Sequence, residues 1–197
     1  MNDDRSAASF LNWPTAITAA SLAGGFLALI LAAQGNIRWA AGVVVGCGIL
    51  DSFDGLLARR LSQCSPFGAQ LDSLADIVSF GVAPAFMLYM GGLDSIPVAG
   101  VLACAGFVLC GAWRLARFSQ IGDCTRFLGL PIPPAAVILV GAAAWEAPNG
   151  IALAMTFTIC ALMVCDIPFP TIPTLFRLLR RRRRHADPEA VAVVDVS

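Results

Sequence analysis

Four carboxylates, Asp51, Asp54, Asp72 and Asp76, crowd into one stretch of an otherwise apolar chain, DSFDGLLARRLSQCSPFGAQLDSLADIVSFG, which runs from 51 to 81. Asp51 and Asp54 are three residues apart and Asp72 and Asp76 four apart, so each pair shares one face if its segment is helical. The loop between the segments reverses the chain, which sets the two pairs opposite one another. Carboxylates held together repel unless they are protonated or share cations, and hard oxygen donors suit Mg²⁺ or Mn²⁺ far better than Zn²⁺. Two divalent ions would balance the four charges. A pair of ions about 3.5–4 Å apart serves displacement at phosphorus by clamping phosphoryl oxygens and stabilising the leaving group. Because Mg²⁺ readily shares its shell with substrate phosphates, a pyrophosphate is a suitable ligand.

The residues around the carboxylates suit such a ligand. Gly55 and Ala58 leave one helix face open to a flat base or a phosphate, Arg59 can pair with a phosphate oxygen, and Gly68 does on the second segment what Gly55 does on the first. A plainer reading stands beside this one: small residues also let membrane helices pack closely, and Arg59 and Arg60 mark a membrane border.

The elements that must hold these groups belong to a membrane. Of the 197 residues 58% are hydrophobic, against about 45–50% in soluble domains, and a span needs about 20 mostly apolar residues. An unpaired Asp at the centre of a span costs about 2.5–3.5 kcal/mol, so four would together cost on the order of 10 kcal/mol. The expected fold is all-α and polytopic, with about six transmembrane helices. They are placed near Trp13–Ala33, Ile37–Arg59, Gly68–Met90, Ile96–Phe118, Pro131–Trp145 and Asn149–Phe169.

All 13 basic residues are arginines, and in a six-span arrangement every one except Arg38 falls on the same side. The positive-inside tendency then makes both termini cytoplasmic. The N-terminal MNDDRSAASF lacks the basic region of a cleaved signal, so the first apolar segment is expected to stay. Residues 1–176 read as one membrane domain. Residues 177–197 read as a basic, disordered cytoplasmic tail whose arginine run anchors topology and attracts anionic headgroups. The seven cysteines are scattered without a CxxC pair and read as small packing residues.

Written out, Asp51-x2-Asp54-Gly55-x2-Ala58-Arg59-x8-Gly68-x3-Asp72-x3-Asp76 resembles the signature of the CDP-alcohol phosphatidyltransferases at every position. The resemblance implies a six-helix enzyme of the cell inner membrane. It would transfer a phosphatidyl group from a CDP-linked lipid to an alcohol and release CMP, with divalent metal at the cytoplasmic face. It further implies that Asp51, Asp54, Asp72 and Asp76 are metal ligands, that Asp76 is also the general base, and that Gly55, Ala58, Arg59 and Gly68 contact the CDP moiety. The N-terminal WPTAIT is similar to the family's Pro-Asn-x-x-Thr stretch, with Pro14 and Thr18 in place and Thr15 where Asn is usual; Thr18 joins the CDP-lipid contacts on that basis. A homodimer is implied by the family alone.

Three further stretches, SFGVAPA (79–85), RLARF (114–118) and FLGLPIPPAA (127–136), are similar to the phosphatidylserine synthase branch of the family. That branch implies CDP-diacylglycerol and L-serine as substrates, among membrane lipids and with no nucleic-acid partner. Ser119 stands where the branch often has Asn. Arg114 and Arg117, three apart near the end of a span, are candidates for the carboxylate of a serine acceptor, with snorkelling to the interface as the alternative. Glycerol 3-phosphate or an inositol phosphate would use the same chemistry and also want arginines. A divalent-cation transporter is the rival from another class, but it would need polar residues along a whole path, and here the acidic groups gather near one side. A non-catalytic scaffold is a third reading, against which metal-dependent nucleotide binding would count.

Overall fold

The computed structural model of the chain describes residues 13–61, 66–121 and 130–165, with side chains described over 15–53, 67–117 and 130–165. The described residues are helical throughout, apart from short connections, and contain no strand. In chain order the helices are α1 (Trp13–Ala33), α2 (Ile37–Leu61), α3 (Pro66–Asp76), a π-helical segment (Ile77–Val82), α4 (Ala83–Met90), a 3-10 turn (Leu93–Ser95), α5 (Pro97–Ile121), α6 (Ile132–Ala144) and α7 (Asn149–Val164). The expected tail, 177–197, lies outside the described residues.

Local chemistry accounts for the helix ends. At the end of α1 the Gly35 amide donates to Ala32 O (3.0 Å) and the Asn36 amide to Leu31 O (2.9 Å), with Gly35 at φ +78°. This is the paired bonding of a left-handed C-terminal cap, which satisfies carbonyls that would otherwise be orphaned. The end of α6 uses the same device, with the Ala147 amide on Ala142 O (3.0 Å) and the Glu146 amide on Ala143 O (3.2 Å). There the left-handed position, φ 52°, is held by Glu146 instead of glycine. Prolines open α3, α5 and α6, where a missing N–H leaves no bond unmade.

Among the described residues three stretches are long and apolar enough to cross a membrane: Thr15–Ala33 (19 residues), Phe67–Met90 (24 residues) and Pro97–Arg117 (21 residues). At 1.5 Å per residue even the shortest measures nearly 30 Å, the thickness of a hydrocarbon core. The helices α6, of 13 residues, and α7, of 16, are shorter than the spans expected for them. α6 stops because the chain turns left-handed at Glu146; the stretch of the expected last span beyond Cys165 lies outside the described residues. The third expected helix, Gly68–Met90, is instead a rod of three parts, α3, the π segment and α4, because bonding loosens to a wider turn just after Asp76.

α1 packs along α2, α3 and the π segment, α5 packs on α7, and α6 closes over α2 and α4. The centre is filled by Phe80, Met87, Phe107, Ile132 and Leu139, all fully buried. Hydroxyls within this apolar body bond to carbonyls, as when Thr156 Oγ1 donates to Ala152 O at 2.7 Å. In hydrocarbon no water is available to satisfy them. The five described cysteines, Cys47, Cys104, Cys110, Cys160 and Cys165, are free thiols; Cys64 and Cys124 lie outside the described residues.

Gly35 and Gly42 separate backbone conformation from packing, since an added Cβ would meet nothing within 4 Å at either position. Gly35→Ala forces a left-handed alanine and is expected to cost about 1–2 kcal/mol, lowering the midpoint of thermal unfolding in detergent. Gly42→Ala, in the second turn of α2, is expected to leave that midpoint unchanged or raised. Equal midpoints for the two variants would remove the conformational role given to Gly35.

Candidate metal centre

Asp51 comes from α2, and Asp72 and Asp76 come from successive turns of α3. Each offers a carboxylate oxygen, and the three oxygens lie within 4.8 Å of one another. All three residues are half-buried. The spacing of four along α3 sets Asp72 and Asp76 on one face, and α1, which packs against both α2 and α3, holds Asp51 beside them. Two groups on α1 complete the recess: Thr18, 5% exposed, and Ser21, 4% exposed, line it with Ile17, Ala75 and the three carboxylates.

The donor set fits a hard divalent cation. On an octahedral Mg²⁺ shell adjacent oxygens lie about 3 Å apart and opposite ones about 4.2 Å apart, so three carboxylate oxygens within 4.8 Å of one another would draw closer around one ion or share two. The same proximity without a cation is unfavourable, because like charges at that distance repel strongly. Among the described side chains, Arg114 of α5 sets a positive charge against Asp76, opposing the negative charges of Asp51 and Asp72. Its Nε is buried and makes no hydrogen bond to any described residue.

The other residues singled out from the sequence fall in different places. Gly68 is half-buried on α3, one turn before Asp72, and Arg117 is exposed while Arg114 is half-buried, although only three residues separate them. Asp54, Gly55, Ala58 and Arg59 lie on the last turns of α2, and their side chains are outside the described residues.

Sequence reasoning passed over Ser21 and the pair Gly24 and Gly25, and gave no role to Ser79 although it opens the SFGVAPA stretch. Ser79, in the π segment, is fully buried and its Oγ donates to Ser21 O at 2.9 Å. A Cβ on Gly25 would stand 2.5 Å from Ser79 Oγ and 2.8 Å from Ser79 Cα, so α1 meets the π segment backbone to backbone at this point. One signal was available: Thr18, Ser21 and Gly25 recur at steps of three and four, a small and polar stripe along one face of α1.

Comparison with known proteins agrees with this geometry. A CDP-alcohol phosphatidyltransferase profile matches residues 11–167. The CDP-diacylglycerol–serine O-phosphatidyltransferase of Methanocaldococcus jannaschii is 42% identical over 125 residues, covering 64% of this chain and 60% of that protein. The archaetidylserine synthase of Methanothermobacter thermautotrophicus is 35% identical over 142 residues, 71% of this chain and 60% of that protein. The CDP-diacylglycerol–serine O-phosphatidyltransferase of Bacillus subtilis is 36% identical over 158 residues, 80% of this chain and 89% of that protein. The chain thus spans about 60% of the length of the two archaeal relatives and most of the length of the bacterial one. With a profile match over most of its length and the acidic cluster in place, the chain belongs to the CDP-alcohol phosphatidyltransferase family.

Proposed function

We propose that this protein transfers a phosphatidyl group from CDP-diacylglycerol to L-serine, yielding phosphatidylserine and CMP. The observation that carries the reading is the convergence of Asp51, Asp72 and Asp76 within 4.8 Å, beside buried Thr18, in a helical membrane fold. The names of these three relatives specify serine, which favours it over glycerol 3-phosphate or an inositol phosphate.

Asp51, Asp54, Asp72 and Asp76 would hold two Mg²⁺ or Mn²⁺ ions. Bound there, divalent ions neutralise the pyrophosphate and the departing CMP. Thr18, Gly55, Ala58, Arg59 and Gly68 would line the path of the CDP moiety, with Arg59 pairing a phosphate oxygen. Asp76 would take the proton from the serine hydroxyl as its oxygen attacks the lipid-side phosphorus. Arg114 acts on Asp76 and has a buried donor without a hydrogen-bond partner among the described residues, which suits it to the serine carboxylate; Arg117, exposed, would guide the acceptor in.

Six crossings with both termini in the cytoplasm, in the cell inner membrane and as a homodimer, complete the proposal. The support for the orientation is the arginine distribution, which would also put the acidic recess on the cytoplasmic side.

Purified protein in detergent with Mg²⁺ or Mn²⁺ is expected to release CMP from CDP-diacylglycerol only when L-serine is added, and to stop when the metal is chelated. Release that depends on glycerol 3-phosphate or inositol phosphate instead would replace the acceptor and keep the metal chemistry. In the same assay Asp76→Asn is expected to lower turnover by at least about a hundredfold while retaining measurable CDP-diacylglycerol binding; full activity would remove Asp76 from the role of base.

Arg114→Ala is expected to raise KM for serine by about tenfold or more, the loss of a charge-assisted hydrogen bond, with a much smaller change in KM for CDP-diacylglycerol. Equal changes for both substrates would assign Arg114 to folding instead of the acceptor.

A further inference from the structure

One backbone carbonyl of α1 is shared by α2, which carries Asp51, and the π segment that continues α3 directly after Asp76. Ser21 O accepts the Ser79 hydroxyl at 2.9 Å and the Cys47 thiol at 3.5 Å. Ser79 is fully buried and Cys47 3% exposed, so neither has water as an alternative partner. Adjacent glycines make both approaches possible: a Cβ on Gly25 would stand 2.5 Å from Ser79 Oγ, and one on Gly24 would stand 2.5 Å from Cys47 Sγ.

The register of these contacts gives them a purpose. Cys47 precedes Asp51 by four residues and therefore lies one turn further along the same face of α2. Ser79 follows Asp76 by three residues, and Ser21 follows Thr18 by three. The acidic recess and the Ser21 carbonyl are thus two consecutive layers of the same three-element junction. The rod also changes from α to π at Asp76, and Ser79, Phe80 and Gly81 are buried in succession. Wider turns of this kind recur at functional sites, where they re-aim side chains.

We propose that Ser79 is a positioning residue for the metal centre: its hydrogen bond to Ser21 O, with Cys47 on the same carbonyl, sets the separation of Asp76 from Asp51. The inference rests on reading the acidic cluster as a divalent-metal site. Without the Ser79 hydroxyl the π segment keeps its packing on α1 but loses the hydrogen bond that fixes its depth there, and the mutual repulsion of the carboxylates widens the cluster. Ser79 touches neither metal nor substrate in this role.

Mn²⁺ binding read by electron paramagnetic resonance, on the purified 197-residue chain in detergent without substrate, tests this apart from activity. Ser79→Ala is expected to weaken Mn²⁺ binding by about fivefold or more, the effect of one buried hydrogen bond. Thr156→Ala removes a fully buried hydroxyl from α7, away from the junction, and is expected to leave Mn²⁺ affinity within about twofold of wild type while lowering thermal stability to a similar degree. Wild-type affinity in Ser79→Ala, or equal weakening in both variants, would overturn the positioning role. Should Ser79→Ala fail to fold, Cys47→Ala removes the other contact to the same carbonyl and is judged by the same criteria. Absence of Mn²⁺ binding in the wild type would instead overturn the metal reading, and this inference with it.

Discussion

Three carboxylates within 4.8 Å of one another are the constraint on which the rest of this molecule depends. At an effective dielectric near 20, two unit charges at that distance repel by about 3.5 kcal/mol. A flexible chain would relieve that repulsion by drifting apart. Here two carboxylates are fixed to successive turns of one helix and the third to another, so without a proton or a cation to share, relief requires moving whole helices. Packing elsewhere in the fold therefore stores the attraction for a cation at the site.

What resists that movement is not the hydrophobic effect, since lipid tails are as apolar as the helix faces they would replace. Cohesion comes from close backbone approach and from polar groups that have no water to turn to. The distinction is visible in the hydroxyls. Ser52, Thr156 and Thr158 bond to carbonyls one turn back in their own helices, which satisfies the hydroxyl and holds nothing else. Ser79 reaches from the π segment to Ser21 on α1, across a gap that is small only because Gly25 has no side chain. The same chemical group acts locally in the first three and between elements in the fourth.

Much of the helical plan was legible before any coordinates. Trp13–Ala33 has the same bounds in the sequence reading and in the structure, because an apolar run ending at Gln34-Gly35-Asn36 has one natural place to stop. The pairing of Asp72 with Asp76 followed from their spacing alone. The division of Gly68–Met90 into three parts did not, since nothing in its apolar composition distinguishes a π turn from an α turn. A π turn survives where tertiary contacts favour it, and those at Ser79 come from a residue 58 positions earlier.

Residue types and helical periodicity were thus sufficient to determine an all-helical membrane chain with an acidic centre suited to divalent metal and phosphate, because both follow from local geometry and donor chemistry. Tertiary structure alone decided which groups stand beside that centre. Arg114 and Arg117 look alike in sequence, yet one is half-buried where it acts on Asp76 and the other is exposed. Ser21 and the pair Gly24 and Gly25 look like ordinary lining of a membrane helix until α2 and the π segment are seen to meet at one carbonyl. The spacing within a helix is set by its own backbone, whereas the register between helices is set by side chains distant in sequence, and only the folded chain brings those together.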